Sequence, residues 1–494
     1  MTYVIGLDLG TTSCKAAVLS AGGALLAKAS DGYALEAAGP GRAVQEVQEV
    51  WRVAQGVLRR LGEQLSLSQA AGLCLSGTMH SLLPVTAGGR PLAPAFTWAD
   101  ARAAPQAAAL RRETDAGALY RRTGCPLQVP YHPARLRWWR EEGVLTGTAY
   151  FVSVKDWVLF QLGGVWATDW ALASTTGLLD IRRRQWDEEA LALAGVTAEQ
   201  LPPLLAPHAV AGALTAAAAK ATGLPAGLPL IAGNSDGALA QVGAGAAEPG
   251  DVAMTVGTSG AVRTVVASPC LDEAMRTWCY LLSEERWFAG GAINNGGLAV
   301  QWATEQFFRD LSGDWKQRTR QFMEAAATVP AGAGGVLALP YLAGERTPHW
   351  DADGPATLHG LRLRHTRAHV ARAVLEGVAF CLADVWQVLQ QGLGEERPER
   401  PVRLSGGITH NPFWVQIVAD VLGMPIMPIK GADASAVGAA LLGHRGLGSG
   451  DELPAGAPVV ETGAVVRPDA ERHARYRRQH RRFQALYRAL DASA

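Results

Sequence analysis

The sequence predicts an α/β fold in both halves of the chain. Apolar runs typical of strands alternate with helical patterns along its 494 residues, and hydrophobic residues make up 48% of them, enough for several cores. One pattern of strand, turn and strand begins near residue 4 and again near residue 252. We therefore expect two large domains, over residues 1–246 and 247–494.

The repeated pattern is an apolar strand, a turn of glycine and hydroxyl residues, and a second apolar strand. Each copy predicts a β-hairpin whose tip offers N–H and O–H donors to a phosphate, although Gly-Thr turns are also common as plain hairpin tips. In the first copy, Lys15 adds a positive charge and Asp8 can hold Mg²⁺ through water. The two turns are Gly10-Thr11-Thr12-Ser13 and Gly257-Thr258-Ser259.

Two predicted strands of the first half end in polar residues. The run 71–76 leads into Gly77-Thr78-Met79-His80, and the run 228–233 opens onto Asn234-Ser235-Asp236-Gly237. The carboxyl ends of parallel strands meet at one edge of a sheet, so both turns are expected at a ligand site. The turn at 98–102 is expected to form a second edge of the pocket. Helices of this half are predicted at 44–61, 106–119, 134–142, 154–162, 213–222 and 237–245.

The second half begins at about residue 248 and repeats the alternation of strands and helices. A charged surface turn is expected at 395–401. Strands are predicted at 336–342 and 402–404, and helices at 365–391, 412–422 and 434–442.

Asp236 is the candidate general base. A carboxylate at the end of a strand can accept the proton of an attacking hydroxyl, while phosphate contacts and a metal stabilise the charge on the transferred group. An Asp-Gly pair is also typical of a turn or a helix cap. The pair Asp236-Gly237 alone leaves both roles open.

Two pairs of glycines follow apolar segments of the second half. Asn294-Asn295-Gly296-Gly297 leads to Gln301, and Ser405-Gly406-Gly407 leads to Asn411. Glycine permits close approach of the backbone, which suits a flat adenine ring or a ribose. Ordinary turns from strand to helix have the same pattern.

Composition and missing motifs exclude several classes of protein. Lys plus Arg and Asp plus Glu are equal at 45 each, so we expect a small-molecule partner and no nucleic acid. The 6 cysteines are scattered without a C-x-x-C pair, which indicates reduced thiols and no zinc site. The sequence has neither a P-loop nor a G-x-G-x-x-G fingerprint, so ATP would be bound in another way. Without a signal region or an apolar stretch of ~20 residues, the protein is expected to be cytoplasmic and not membrane-bound.

A set of motifs in one order spans nearly the whole chain. Its members are Asp8-Leu9-Gly10-Thr11-Thr12, Met79-His80, Trp98-Ala99-Asp100-Ala101-Arg102, Asp236-Gly237, Gly257-Thr258-Ser259, residues 340–348, Gly406-Gly407 and residues 434–440. This order resembles the FGGY family of carbohydrate kinases. The resemblance implies two ribonuclease-H-like domains of the actin and hexokinase type, with ATP and a sugar or polyol meeting in a central cleft.

The resemblance also implies roles for single residues. The residue matching Asp236 is the catalytic base of that family, and the one matching Asp8 lies near Mg-ATP. The cofactors implied are ATP and Mg²⁺, and a homodimer is left open. Adenosine contacts are implied for Gly297, Gln301, Gly407 and Asn411, phosphate contacts for Gly257, Thr258 and Ser259, and sugar contacts for Met79 and His80, with Ser81, Trp98 and Asp100 expected beside them.

The expected acceptor is gluconate, phosphorylated to 6-phosphogluconate. A gluconate carboxylate needs a cation, for which Arg102 is the first candidate and Arg135 the second. Arg135 stands where the family usually has lysine, and His132 where it usually has proline, so this rim departs from the pattern. The segments that look most like the gluconate-phosphorylating branch, and next like xylulokinases, are 78–83, 97–100 and 122–126.

Two further classes of function remain open. Xylulokinases, ribulokinases and glycerol kinases share the catalytic apparatus and differ in the lining of the pocket. An actin-like, nucleotide-gated protein shares the twin hairpins but needs no sugar pocket. The segment 79–102, with polar residues between apolar runs, therefore favours a kinase.

Overall fold

The computed structural model describes residues 2–143, 146–310, 312–393, 400–430, 433–448 and 461–491. The chain divides by its contacts into two units. The first comprises Met1–Pro249, Val265–Phe288 and Asp433–Val460, and the second comprises Gly250–Thr264, Ala289–Ala432 and Glu461–Ala494. Most of the turn expected at 395–401 lies outside the described residues.

Strands and helices alternate along both halves, as predicted. The strands are β1 (Tyr3–Leu9), β2 (Ser13–Ser20), β3 (Leu25–Gly32), β4 (Val44–Gln45), β5 (Ala70–Gly77), β6 (Leu83–Val85), β7 (Ala95–Phe96), β8 (Tyr150–Val152), β9 (Thr168–Asp169), β10 (Leu179–Asp180), β11 (Gln185–Trp186), β12 (Leu204–Leu205), β13 (Val210–Ala213), β14 (Pro229–Ser235), β15 (Val252–Val256), β16 (Gly260–Val266), β17 (Trp278–Leu281), β18 (Trp287–Ile293), β19 (Leu337–Leu339), β20 (Thr357–His359), β21 (Val402–Ser405) and β22 (Ile426–Pro428). The helices are α1 (Val47–Leu61), α2 (Ala104–Glu113), α3 (Ala116–Thr123), α4 (His132–Glu141), α5 (Val154–Gly163), α6 (Trp170–Ala173), α7 (Glu188–Ala194), α8 (Ala216–Thr222), α9 (Asp236–Gly243), α10 (Gly297–Phe307), α11 (Trp315–Ala327), α12 (Arg367–Leu393), α13 (Pro412–Leu422), α14 (Ala434–Gly446) and α15 (Ala470–Asp491).

The first unit contains a six-stranded sheet in the order β13-β14-β5-β1-β2-β3. Strand β1 pairs antiparallel with β2 and parallel with β5, and β5 pairs parallel with β14. The register sets Asp8 opposite Ser76, and Ser235 opposite Gly77. The carboxyl ends of β1, β5 and β14 therefore lie side by side at one edge of the sheet.

Helix α14 belongs by its contacts to the first unit, although it follows most of the second unit in sequence. A Cβ atom at Gly6 of β1 would lie 1.9 Å from Ala436 O, and one at Gly438 would lie 2.0 Å from Leu239 O of α9. Glycine alone permits this close approach of helix to strand and of helix to helix. The contact units are thus not contiguous in sequence, and the domain boundary between residues 246 and 247 stays a prediction.

The second unit repeats the pairing pattern of the first. Strand β15 pairs antiparallel with β16 and parallel with β21, and β21 pairs parallel with β22. The same relations join β1 with β2, β5 and β14. Both predicted hairpins are present, and each is followed by a parallel strand that joins its first strand.

The helix predicted at 106–119 is wrong in one respect, because the structure has two helices there, α2 and α3. The Asp115 side chain accepts a hydrogen bond of 2.8 Å from Ala118 N and so begins a new helix.

Across the described ranges, no helix is both long enough and apolar enough to cross a membrane.

Candidate active site

Asp8 lies next to the end of β1 and is 4% exposed. Its Oδ1 accepts a hydrogen bond of 2.6 Å from the Ser76 hydroxyl of β5, and its Oδ2 accepts one of 2.6 Å from the Ser435 hydroxyl of α14. Lys15 faces Asp8 in the register of β1 with β2. The fold thus holds one carboxylate in a fixed orientation at the sheet edge.

The surroundings of Asp8 fit Mg²⁺ bound mostly through water. In the described part of the chain, no group of three or more His, Cys, Asp and Glu side chains could hold a metal ion. Mg²⁺ usually keeps several waters and takes one or two carboxylates, together with phosphate oxygens of the substrate. A single oriented carboxylate with neighbouring hydroxyls matches that requirement.

The first Gly-Thr turn is tied down through its carbonyl groups. Gly10 O accepts hydrogen bonds from the Tyr33 hydroxyl at 2.6 Å and from Gln45 Nε2 at 3.0 Å. Gln45 Nε2 also donates to Thr11 O at 2.8 Å, and Thr12 is exposed at the tip. These bonds fix the backbone of the turn, and Gly10 N donates to Ser13 O at 3.0 Å. The groups that the turn can offer to an anion are its other N–H and its O–H donors.

Asp236 is the first residue of α9, directly after β14. Its Oδ1 accepts a hydrogen bond of 2.7 Å from Gly237 N. The N-cap of the helix is Ser235, whose hydroxyl accepts a hydrogen bond from Ala238 N. The capping role that the sequence left open for Asp236 therefore belongs to its neighbour.

A tight strand contact brings the end of β14 close to β5. Gly233 has φ 88°, and a Cβ atom there would lie 1.7 Å from Leu75 O. The β14 register with β5 shifts between Ile231 and Asn234, so the strand is irregular just before Asp236. Only glycine fits this backbone, which fixes where Asp236 leaves the sheet.

His80 follows β5 in a left-handed conformation with φ 63°. Its Nδ1 lies 2.8 Å from Thr175 O, and since a carbonyl only accepts, Nδ1 carries the proton. The imidazole packs edge-on against Tyr131, with 5.1 Å between ring centres. Met79 and His80 are partly buried, whereas Ser81 is 2% exposed and bonds to Thr78 O and Val154 N.

The second pocket edge is held by an ion pair. Asp100 is 2% exposed and accepts hydrogen bonds from Ala43 N at 2.9 Å and from Arg102 Nη2 at 2.8 Å. The Arg102 guanidinium lies 4.6 Å from the centre of the Phe96 ring and 4.7 Å from that of Trp138. The charge of Arg102 is therefore satisfied by Asp100 and by aromatic faces. Trp98 donates from Nε1 to the Thr11 hydroxyl at 3.2 Å and so joins this edge to the first turn.

Arg135 is 1% exposed, and its donors are directed to backbone carbonyls. Nη1 donates to His80 O at 2.5 Å, Nη2 to Thr97 O at 2.5 Å, and Nε to Val129 O at 3.2 Å. Burial lowers the pKa of this guanidinium from its ordinary value to about 9. The expectation that Arg135 serves as the second partner for a substrate carboxylate is wrong, because the side chain does not reach solvent.

The second Gly-Thr turn, in the second unit, is joined by its backbone to the start of α10. Gly257 O accepts a hydrogen bond of 2.6 Å from Gly297 N, and Thr258 O accepts from Gly296 N at 3.0 Å. A Cβ atom at Gly297 would lie 2.8 Å from Gly257 O. Gly257 and Thr258 are exposed. The structure thus brings together the two segments that the sequence assigned to phosphate and adenosine.

The remaining candidates for adenosine contacts lie on the same unit. Gln301 is exposed on α10 and donates to Glu305 at 3.0 Å. Gly407 is exposed just after β21, which pairs with β15, and Asn411 caps α13 by accepting from Trp414 N at 3.1 Å. Asn411 is thus also a structural residue of the helix terminus.

Glu345 supports the loop that begins α10, and sequence analysis assigns it no role beyond its place in the motif at 340–348. Its Oε1 accepts from Asn294 N at 2.7 Å and from Arg346 N at 2.8 Å. Asn295 Nδ2 donates to Gly344 O at 2.7 Å, which ties the two loops together. The carboxyl group is 3% exposed, and burial raises its pKa to about 7.

Several residues of these sites were missed because only the three-dimensional contacts reveal them. Ser76 could have been found as the polar last residue of a predicted strand. The contacts of the others join residues far apart in sequence, and although Glu345 and Ser435 lie within the motifs at 340–348 and 434–440, the motifs do not indicate these contacts. They are Tyr33, Gln45, Thr175, Glu345 and Ser435.

Comparison with known proteins identifies the family of the chain. Residues 3–243 match the N-terminal domain, and residues 252–447 the C-terminal domain, of the FGGY family of carbohydrate kinases. The chain is 31% identical to a gluconokinase of Bacillus subtilis (strain 168), over 92% of this chain and 89% of the relative. It is 29% identical to a xylulose kinase of Escherichia coli (strain K12), over 98% of this chain and 99% of the relative.

The solved structure of a gluconate kinase from Lactobacillus acidophilus superimposes with a TM-score of 0.92 at 29% identity, covering 100% of this chain and 99% of that one. The fold is thus that of two ribonuclease-H-like domains of the actin and hexokinase type. The chain belongs to the FGGY family of carbohydrate kinases and is an ATP-dependent sugar kinase.

Proposed function

We propose that this kinase phosphorylates gluconate to 6-phosphogluconate, with ATP as donor and Mg²⁺ as cofactor. The main support for a phosphotransfer site is the register of β1, β5 and β14. This register sets Asp8, the Met79-His80 turn and Asp236 at one edge of the sheet. The choice of gluconate is supported by the motifs of the pocket and by the similarity to a gluconokinase at 31% identity.

In this proposal Asp236 accepts the proton of the attacking hydroxyl. The hydroxyl oxygen forms a bond to the γ-phosphorus of ATP, the bond from that phosphorus to the bridging oxygen breaks, and ADP leaves. Mg²⁺ held at Asp8 supplies positive charge beside the phosphates. The donors of the turns at 10–13 and 257–259, together with Lys15, bind phosphate oxygens.

The other roles follow from exposure and from the contacts already described. Met79, His80 and Trp98 are partly buried and meet the sugar, while Ser81, Asp100 and Arg102 hold the pocket edge. Adenosine lies against Gly297, Gln301, Gly407 and Asn411. We expect a small-molecule acceptor and a cytoplasmic location, and no nucleic-acid or membrane partner.

One observation favours xylulokinase as a second candidate. The two arginines considered for a substrate carboxylate, Arg102 and Arg135, are engaged by Asp100 and by backbone carbonyls. A neutral ketose such as D-xylulose needs no cation. The chain is also 29% identical to a xylulose kinase over 98% of its length.

A panel of acceptors tests the proposal. The purified protein with Mg-ATP is assayed by coupled detection of ADP, with gluconate, D-xylulose, L-ribulose and glycerol. We expect the highest kcat/KM with gluconate and little ADP without an acceptor. A higher kcat/KM with D-xylulose would replace gluconate by the ketose, and equal ADP formation without acceptor would contradict sugar phosphorylation by this site.

A further inference from the structure

Arg135 is a buried cation, and the carboxylate that acts on its charge, Asp100, is already paired with Arg102. Arg135 is 1% exposed, and none of the ion pairs among the described residues includes it. Its donors are used by the carbonyls of His80, Thr97, Asp100 and Val129. Burying a charge costs free energy unless the charge is well hydrogen-bonded. The planar guanidinium of Arg135 meets this condition by bonding to several backbone carbonyls at once.

The carbonyls bonded by Arg135 belong to both edges of the proposed sugar pocket. His80 lies on the turn after β5, whereas Thr97 and Asp100 lie on the turn after β7. One guanidinium on α4 thus joins two segments that are separated in sequence and are not neighbours in the main sheet. Backbone hydrogen bonds of 2.9 and 3.2 Å between Leu82 and Phe96 join the same two segments at one point. Arg135 adds a second link, at the carbonyls of His80, Thr97 and Asp100, where the two turns reach the pocket.

His80 needs such a restraint. A non-glycine residue at φ 63° is in a sparsely populated conformation and persists only where its surroundings fix it. Arg135 holds the carbonyl of His80, and Thr175 O holds its imidazole. The orientation of the imidazole is therefore fixed both at the backbone of His80 and at its ring.

We infer that Arg135 is a positioning residue for acceptor specificity, which fixes the His80 turn against the turn at 97–100 and thereby sets the affinity for the sugar. This inference rests on the proposed function. Arg135 does not touch the substrate, because its side chain is buried and its donors are used. Its loss therefore acts on the KM for the sugar, and the nucleotide loops of the second unit are unaffected.

The test compares two substitutions with a control on the same helix. Arg135→Met removes the donors at similar length, and Arg135→Lys keeps a charge and fewer donors. Arg137→Met is the control, since Arg137 pairs with Glu113 and Glu141 at the surface. We expect Arg135→Met to raise the sugar KM roughly tenfold, as for the loss of one strong hydrogen bond, with the ATP KM changed less than about twofold. Arg135→Lys should lie between wild type and Arg135→Met.

Amide hydrogen exchange supplies a readout that does not depend on turnover. In Arg135→Lys, and in Arg135→Met if it folds, the segments 78–83 and 97–102 should exchange faster than in wild type, while the second unit is unchanged. Faster exchange throughout the chain, equal rises in both KM values, or an unchanged sugar KM with unchanged exchange would overturn the inference. If no sugar in the panel is phosphorylated, the exchange result still decides whether Arg135 clamps the two turns, so failure of the proposed function is distinguished from failure of the clamp.

Discussion

Arg102 donates from Nε and Nη2 to Asp100, and Asp100 in turn accepts from Ala43 N. The motif at 98–102 predicts Arg102 as the partner of a substrate carboxylate, because it places a cation at the expected edge of the pocket. The same spacing of two residues lets its fork fold back onto Asp100. At the scale of one residue, the partner inside the protein decides what a charged group can offer to a ligand.

Arg102→Gln is therefore expected to weaken the fold and to reduce activity with every acceptor. Removing Arg102 leaves the buried carboxylate of Asp100 without its ion-pair partner. The Arg102 side chain is 19% exposed and Arg135 still acts on Asp100, so the free energy of unfolding should fall by roughly 2–4 kcal/mol, somewhat less than for a fully buried pair. Urea unfolding and kcat/KM for gluconate and D-xylulose are measured, with Arg137→Gln as a surface control. If kcat/KM fell for gluconate alone, Arg102 would bind the carboxylate after all.

At the scale of elements, the second Gly-Thr turn accepts three backbone hydrogen bonds from Gly296, Gly297 and Leu298 at the start of α10, while Thr258 is exposed. Thr258→Val removes one donor at constant shape. If the hydroxyl binds a phosphate oxygen, apparent affinity for ATP should weaken by ~1–3 kcal/mol. The KM for ATP is compared with that of Thr319→Val on α11, and an unchanged value together with unchanged kcat would leave the turn as a plain hairpin tip.

The loop that carries Glu345 predicts a dependence of stability on pH. Burial raises the pKa of this carboxyl from an ordinary 4.5 to about 7. Between these values the folded state keeps a proton that the unfolded state has lost, so the free energy of unfolding falls as pH rises through this window and levels off above it. Gln cannot titrate but keeps an oxygen for Asn294 N and Arg346 N.

In Glu345→Gln, the free energy of unfolding should therefore not show the fall with pH that the titration of Glu345 causes. Urea unfolding is measured at about pH 5 and about pH 8, on either side of most of the window. Glu324→Gln, on an exposed position of α11, is the control and should follow wild type. The same decline in Glu345→Gln as in wild type would show that this carboxyl does not titrate in the window.

At the scale of the whole molecule, local sequence patterns predict most of the strands and helices. The contacts between distant segments depend on long-range packing and are not predicted by these patterns. The alternation of elements, both hairpins and the polar ends of two strands were readable because each depends on neighbouring residues. The placement of α14 depends on Gly6 and Gly438 meeting distant backbone, which leaves no periodic signal. The same holds for Ser435 on Asp8 and for the carbonyls held by Arg135, so the supporting residues of the site were found only in the structure.

The most direct test of the account is the turnover of Asp236→Asn. The carboxylate that follows β14 is the proposed proton acceptor, and asparagine keeps the oxygen that accepts from Gly237 N but cannot take the proton. With gluconate and Mg-ATP, kcat should fall by roughly 10²-fold or more, while the KM for ATP and the free energy of unfolding stay near wild type. A kcat close to that of wild type would contradict the assignment of the base and, with it, the location of phosphotransfer at the ends of β1, β5 and β14.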